Sequence, residues 1–487
     1  MSTSAPAASA TLDQWLSYLE TLHKVAIDLE LSRIRKVAQV LDIQTPFVTI
    51  TVGGTNGKGS TCAMLESMLL AAGYKVGVYA SPHLVRYNER IRLNGEQAAD
   101  TDIISQFRKI DAARGDITLS YFEFSTLAAL LLFQERAVDV AVLEVGLGGR
   151  LDAVNMVDAD CAIITSVDID HAQYLGDTRE KIGWEKAHIF RPGRPAICAD
   201  PIPPASIVEY AAQVGADLWL FGNDFNYSGD RQQWAYGGRS QRRAALGYPA
   251  LRGANQLLNA CAALAAIEAL RGRLAVPQQA VREGLLQVNL PGRLQILPGN
   301  PVVILDVAHN PHAAAALGQN LDNMGRFGKT HAVIGMLADK DVEGVIEKIA
   351  SRVDHWYCAS VDGARGMAGD ALAEHVRKVL AARAALAVPA VAPSPSVAPV
   401  SSAPAMVDDS FDGPGLAGHG SAATDTRSPG VRAVAPKQVA AGSATVSVFE
   451  NPVQAFTEAQ KRAAGDDRIL VFGSFTTVGP VLQSLGR

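Results

Sequence analysis

Hydrophobic and polar positions change their period several times along this chain. Over the first forty residues the apolar positions recur at helical spacing, through Trp15, Leu16, Leu19, Leu22 and Val25 to Ile27, then Leu29, Ile34, Val37 and Leu41. From residue 46 the pattern turns β-rich. PFVTITV (46–52) runs straight into glycines, and STCAMLESMLLAAG (60–73) follows at helical spacing. The same alternation returns at VDVAVLEVG (138–146), CAIITSV (161–167) and RPAICAD (194–200). Short continuous apolar runs between helical stretches predict a parallel sheet covered on both faces.

Near Pro291–Arg293 the pattern restarts. PVVILDVAHNPHAAAAL (301–317), THAVIGMLADK (330–340), DHWYCAS (354–360) and RILVFGSF (468–475) read as further strands, each running towards a polar or glycine loop. The expectation is an α/β protein of two domains, residues 1–293 with N-terminal helices and residues 294–487 as a smaller α/β unit. One segment breaks the pattern. From about 387 to 442 the chain is Ala, Pro, Ser and Gly, and eight of the 24 prolines fall there. Such composition buries too little apolar surface to offset its ordering entropy, which predicts a disordered insertion, a surface-loop expansion.

Composition adds exclusions. The 487 residues are 48% apolar and 19% charged, with 44 Lys and Arg against 49 Asp and Glu. That balance argues against a protein held on nucleic acid by bulk charge, while leaving room for a local phosphate site. Cys62, Cys161, Cys198, Cys261 and Cys358 are odd in number and widely spaced, suiting neither a disulfide framework nor a zinc site. MSTSAPAASATLDQW carries no secretory leader pattern, and no apolar run approaches the ~20 residues of a membrane span. A cytoplasmic protein without membrane or nucleic-acid partners is expected.

The strongest chemical signal is TVGGTNGKGST (51–61), where a strand meets a loop with four glycines and a helix opens beyond. Glycines leave backbone N–H groups free to converge on phosphate oxygens, and the helix N-terminus adds partial positive charge. Lys58 would neutralise the β- and γ-phosphates, and Ser60 or Thr61 would reach a Mg²⁺ ion. The common phosphate loop reads GxxxxGK[ST]; here Gly59 stands between Lys58 and Ser60. Local chemistry alone gives a nucleoside triphosphate site.

That variant loop resembles the Mur ligase superfamily, ATP-dependent enzymes that join a carboxylate to an amino acid. SPHLVRYNERIRLNG (81–95), YFEFSTLAAL (121–130), LEVGLGGRLDAVN (143–155), DHAQYLG (170–176), WEKAHIFR (184–191), LPGRLQ (290–295) and DVAHNPHA (306–313) extend it. In order, from WLSYLETLH (15–23) to VFGSFTTVGPVL (471–482), these blocks resemble the bacterial bifunctional dihydrofolate synthase/folylpolyglutamate synthase family. The resemblance implies a Mur-ligase-like fold, with a phosphate-loop central domain of mainly parallel sheet and a smaller Rossmann-like C-terminal domain on the glutamate and ATP side.

It also implies a site. ATP falls to Thr55, Asn56, Gly57, Lys58, Gly59, Ser60, Asn259, Arg293 and Asp306, with Asn255 as an alternative to Asn259. Mg²⁺ falls to Ser60, Ser81, Glu144 and His171, although imidazole is an unusual partner for so hard a cation. Lys186 matches a position that in this superfamily is often carbamylated, and with Lys58 and His309 it makes up the catalytic set. Dihydropteroate falls to Ser120, Tyr121, Phe122, Glu123, Leu151, Asp152 and Ala153; Phe122 also reads as a core residue. Tyr174 stands where these enzymes more often carry Trp, a departure on the pterin side.

The implied activity is addition of L-glutamate to 7,8-dihydropteroate and to reduced folates, through an acyl phosphate, with release of ADP and phosphate; a monomer is implied. Two other readings compete. A ligase for UDP-muramyl acids would share Gly57, Lys58 and Glu144 but needs a UDP-binding region ahead of the loop, where only about fifty residues of helical pattern stand. A non-catalytic ATP-binding switch would have no need of the metal-side residues.

Overall fold

The β-rich run after residue 46 becomes strand β1 (Val48–Gly53), every residue of which is buried. A computed structural model describes residues 6–7, 9–25, 27–230, 232–387 and 444–486. In it β1 lies inside an eight-stranded sheet with β2 (Val76–Tyr79), β3 (Ile91–Leu93), β4 (Glu96–Gln97), β5 (Val140–Glu144), β6 (Cys161–Ile164), β7 (Pro195–Cys198) and β8 (Asp217–Leu220). The order across the sheet is β4-β3-β2-β5-β1-β6-β7-β8. From β2 to β8 the neighbours run parallel, and only β3 and β4 turn back antiparallel at one edge.

The helix Lys58–Ala71 is apolar around most of its circumference because it is covered on every side. The sheet lies beneath it, and the helices Gln256–Ala269 and Gln278–Gln287 close over it. A small antiparallel meander of β9 (Asn226–Gly229), β10 (Trp234–Gly237) and β11 (Arg242–Leu246) packs beside these helices. Tyr236 OH donates to Glu268 Oε2 at 2.7 Å and ties the meander to the first of them.

A third sheet is built from β12 (Gln295–Leu297), β13 (Val302–Leu305), β14 (Thr330–Ile334), β15 (His355–Ala359), β16 (Thr445–Phe449) and β17 (Arg468–Phe472). Its order is β12-β13-β17-β14-β15-β16, parallel except for β12. The architecture is α/β and mainly parallel, as the alternating pattern predicts.

Two features differ from the sequence pattern. The apolar spacing of the first forty residues suggests helix throughout, whereas among the described residues helices form only at Leu12–Leu22 and Ser32–Val40. Polar contacts pull the intervening segment away: His23 bonds Thr118 and Asp28 at 2.9 Å each, and Arg33 pairs with Asp28 at 2.8 Å. The low-complexity segment expected at about 387–442 lies outside the described residues, apart from Ala387 at the end of the helix Gly369–Ala387. All five cysteines are buried free thiols. Among the described residues no helix is long and apolar enough to cross a membrane.

Candidate active site

The loops leaving β1, β5 and β6 face those leaving β13 and β17 across a cleft of about 570 Å³. That is the carboxyl edge of both sheets, where open α/β folds bind ligands. Thr55, Asn56, Gly57, Lys58, Gly59, Ser60, Ser81, Glu144, His171, Lys186, Asn255, Asn259, Arg293, Asp306 and His309 all line it. Residues as far apart in the chain as Thr55 and His309 thus share one wall-to-wall space.

Gly57 caps the helix Lys58–Ala71 with φ +92°, a left-handed conformation that suits glycine. A Cβ there would stand 2.5 Å from Asn259 Oδ1, so Asn259 is packed directly on the loop. The rest of the loop is pinned by its own backbone: Thr55 N donates to Ser166 O at 2.7 Å, and Thr165 Oγ1 donates to Asn56 O at 2.6 Å. Lys58 folds inward, its ammonium donating to the carbonyls of Gly54 and Thr55 at 3.1 and 3.2 Å. Lys186 Nζ meets the same Gly54 carbonyl at 3.0 Å. Burial, then the Lys58 charge, pulls the Lys186 pKa down to about 7.

Glu144 ends β5 and is buried; Ser81 N donates to its Oε2 at 3.2 Å. Burial raises the Glu144 pKa, against the opposing charges of Lys58 and Arg293. His171 sits at φ +52°, with Nε2 3.2 Å from Lys340 Nζ and a buried Nδ1 that has no partner. Its pKa falls to about 4, chiefly through burial, so the ring is neutral near pH 7. Among the described residues no three His, Cys, Asp or Glu side chains gather into a ready-made metal cage. One carboxylate, one neutral imidazole and two serine hydroxyls beside a phosphate loop fit a magnesium ion of the kind completed by nucleotide phosphates and water.

The domain junction and the second domain supply the opposite wall. Arg293 holds its guanidinium carbon 5.0 Å over the Phe475 ring, and its buried Nη1 has no partner. Its other terminal nitrogen lies 3.7 Å from where a Cβ on Gly59 would stand, so the cation overhangs the loop. Asp306 accepts from Leu294 N and Ala308 N, both at 2.8 Å, which staples the interdomain linker where Leu294 adopts φ +43°. His309 Nδ1 lies 2.8 Å from Val307 O and Nε2 3.6 Å from Asp170 Oδ2.

Three residues with no role assigned from the pattern complete this interface. Asn310 caps the helix Pro311–Asn323 and bonds Asn56 of the loop. Lys340 reaches back to Asp170 Oδ1 at 2.6 Å. Burial would raise the Asp170 pKa, but the His309 contact and the Lys340 charge outweigh it and hold the carboxyl well below the usual range. The N-P dipeptide at 310–311 signals a helix start and nothing about a partner 254 residues away.

The pterin-side candidates do not line the main cleft but stand directly behind it. Phe122 approaches Gly146 so closely that a Cβ there would lie 2.6 Å from its Cζ, and it packs on Tyr79 with centroids 5.7 Å apart. Asp152 Oδ2 accepts from Leu147 N at 2.8 Å, and burial lifts its pKa to about 6. Ser120 and Glu123 cap the helix Tyr121–Glu135 reciprocally. Glu123 Oε1 is nonetheless buried without a partner, as is Arg33 Nε, while Arg33 Nη2 lies 3.3 Å from Glu123 Oε2. Arg33 carries no motif in the sequence; the fold brings it here through the break in the N-terminal helices. Tyr174 is exposed, and Leu151 and Ala153 flank Asp152.

Comparison with known proteins agrees along the chain. The Mur ligase middle domain matches residues 52–267, and the Mur ligase, glutamate ligase domain matches residues 292–398. The dihydrofolate synthase/folylpolyglutamate synthase of Escherichia coli (strain K12) is 48% identical over 373 residues, covering 76% of this chain and 87% of that protein. The structure of E. coli FolC in complex with DHPP and ADP superposes with a TM-score of 0.82 at 40% identity, covering 99% of each chain. A bifunctional folylpolyglutamate synthase/dihydrofolate synthase with Mn, AMPPNP and L-glutamate bound gives 0.80 at 39%, covering 99% of this chain and 100% of that one.

Proposed function

The chain belongs to the Mur ligase family, in its dihydrofolate synthase/folylpolyglutamate synthase branch, and on that premise we propose how its residues carry out the reaction. It is an ATP-dependent amide ligase of folate metabolism, adding L-glutamate to 7,8-dihydropteroate and to reduced folates. ATP and a divalent metal serve the reaction, and we assign the metal as Mg²⁺. The single observation that carries the reading is the cleft itself. The phosphate loop, Glu144, His171 and Lys186 on one wall face Arg293, Asp306 and His309 on the other.

An amide does not form from a free carboxylate unless the departing oxygen is first made a good leaving group. The acceptor carboxylate attacks the γ-phosphorus of ATP, forming a C–O–P linkage and releasing ADP. The glutamate amine then attacks the acyl carbon, and phosphate departs with the former carboxylate oxygen. Lys58 and the loop N–H groups neutralise the β- and γ-phosphates, and Arg293 takes up charge from the domain junction. Ser60, Ser81, Glu144 and His171 would hold Mg²⁺, which when bound would supply further neutralisation of phosphate charge. A carbamylated Lys186 would present a carboxylate-like anion to that ion, and the lowered pKa of the free amine favours the neutral form that adds CO₂.

The acceptor ring lies against Tyr121 and Phe122, where Glu123 Oε1 and Arg33 Nε offer an unused acceptor and donor to a hydrogen-bond-rich heterocycle. Residues 1–293 thus hold the acceptor and the triphosphate, and residues 294–487 bring glutamate and the rest of the ATP site. The test is ADP release with ATP, Mg²⁺ and L-glutamate, with 7,8-dihydropteroate or tetrahydrofolate as acceptor. Turnover with both is expected; turnover with neither overturns the reading.

A further inference from the structure

Of the two histidines that residues 306–313 place in the cleft, His309 faces Asp170, whereas His312 faces the phosphate loop. His312 Nδ1 lies 3.2 Å from Asn56 Nδ2. A chain of hydrogen bonds starting at the cap of its own helix decides which ring nitrogen carries the proton. Ala313 N donates to Asn310 at 2.9 Å, so the accepting atom is the amide oxygen. The other end of that amide meets Asp170 Oδ2 at 3.1 Å, and a carboxylate only accepts, so that end is the NH₂. Asn56 pairs with both ends, at 3.2 and 3.0 Å, which orients its own amide in turn. The Asn56 nitrogen gives one hydrogen to Asn310 Oδ1 and has one left, facing His312 Nδ1.

A ring nitrogen that accepts a hydrogen bond carries no proton, so the single proton of the neutral imidazole is on Nε2. The opposite tautomer would set N–H against N–H. Asp168 Oδ2 would favour that tautomer, but at 3.5 Å it lies beyond the ordinary N–H···O range, and its Oδ1 already accepts from Ile169 N at 2.7 Å. His312 Nε2–H is therefore a donor of set direction and, among the described residues, it has no acceptor. Asn56 belongs to the loop whose N–H groups gather the triphosphate, so a ring held on its side chain serves the phosphate tail and not the base. The γ-phosphoryl group must lie where the acceptor of the first domain and the glutamate of the second meet. It is the phosphate that a second-domain donor reaches.

We infer that His312 donates its Nε2–H to the γ-phosphoryl group of ATP, and that the cap of its own helix holds it in the tautomer able to do so. The inference deepens the ligase reading above and rests on its placing of ATP. Lys58 supplies charge to that group, whereas His312 supplies a bond of defined direction, arranged before the reaction begins.

Calorimetry of the full chain with Mg²⁺ and either AMPPNP or ADP tests it, since ADP has no γ-phosphoryl group. His312→Phe keeps a ring and removes the donor. It is expected to weaken AMPPNP binding roughly 10-fold and ADP binding by less than about 3-fold. His312→Gln, which restores a neutral donor, should recover part of the loss. Long-range ¹H–¹⁵N spectra of ¹⁵N-histidine-labelled protein at pH 8.5, with the His312 signals identified by their absence from H312Q, should show Nε2 protonated and Nδ1 bare. A proton on Nδ1, or equal losses with the two nucleotides, would overturn the assignment. So would an unchanged ratio of the two affinities; a raised KM for L-glutamate would then make His312 a carboxylate ligand instead. Neither the binding ratio nor the spectra involve the acceptor. An unaltered enzyme that turned over neither dihydropteroate nor tetrahydrofolate would overturn the ligase reading, while the ratio would still decide the role of His312.

Discussion

Asn56 in the phosphate loop and Asn310 in the second domain exchange both side-chain hydrogen bonds, Asn56 Nδ2 to Asn310 Oδ1 at 3.2 Å and Asn310 Nδ2 to Asn56 Oδ1 at 3.0 Å. The same Asn310 amide caps its own helix through Ala313 N and donates to Asp170 at 3.1 Å. A single buried side chain thus reports the position of one domain to the loop that grips ATP. On the proposed mechanism, closure of the two walls would keep water from the acyl phosphate, and this pair would be part of the latch.

Asn310→Ser separates the latch from the cap, since serine also caps helices well while being too short to pair with Asn56. Stability should change by less than about 1 kcal/mol. The catalytic rate should fall at least roughly 10-fold, and more ADP should form per glutamate ligated as water reaches the acyl phosphate. Denaturant unfolding together with the ratio of ADP to ligated product checks both parts. Tight coupling in the variant would mean that Asn310 serves only its helix.

Gly57→Ala places a Cβ at φ +92° and 2.5 Å from Asn259 Oδ1. The backbone term alone costs about 1 kcal/mol or more, and the contact forces the loop or Asn259 to move. ATP affinity, measured by calorimetry, should drop more than roughly 10-fold.

Arg293→Ala removes a guanidinium whose Nη1 has no partner in the free enzyme. Burial holds its pKa below the ordinary value, a sign that the protein solvates it poorly. Thermal stability should therefore hold or rise slightly, while both ATP affinity and turnover fall. Unchanged turnover at saturating ATP would show that Arg293 binds ATP without assisting transfer.

Lys186 makes stability depend on pH with a definite sign. Its pKa in the fold is lowered to about 7 from an ordinary 10.5, so between those values the unfolded chain binds a proton that the folded chain does not. Stability should rise with pH across that window by up to about 1.4 kcal/mol per unit, and Lys186→Met should remove this component of the slope. Below pH 7 both states are protonated and the component is flat. Because the neutral amine adds CO₂, bicarbonate at pH 8 should raise activity of the unaltered enzyme, whereas Lys186→Met should respond to neither.

The parts of this molecule legible in the sequence are those built from local contacts. The phosphate loop declares itself because a β-branched strand, four glycines and an apolar helix are contiguous in the chain, and β5, β6, β13, β14 and β17 declare themselves as continuous apolar runs. The edge hairpin β3–β4, the meander β9–β11 and the antiparallel β12 do not, because strands with an exposed face alternate too briefly to stand out. The interdomain contacts are least legible. Asn310, Lys340 and Arg33 gain their roles only when segments 254, 170 and 90 residues away are folded against them. Nothing in the local pattern of a cap, a turn lysine or a helix arginine carries that information.

The account's central claim is that the acceptor carboxylate is activated by phosphoryl transfer. Dihydropteroate labelled with ¹⁸O in its carboxylate tests it directly when the phosphate released during turnover with ATP, Mg²⁺ and L-glutamate is analysed by mass spectrometry. One labelled oxygen should appear in each phosphate formed, because the C–O bond broken by glutamate leaves that oxygen on phosphorus. Phosphate free of label would contradict the acyl-phosphate route and require another mode of activation.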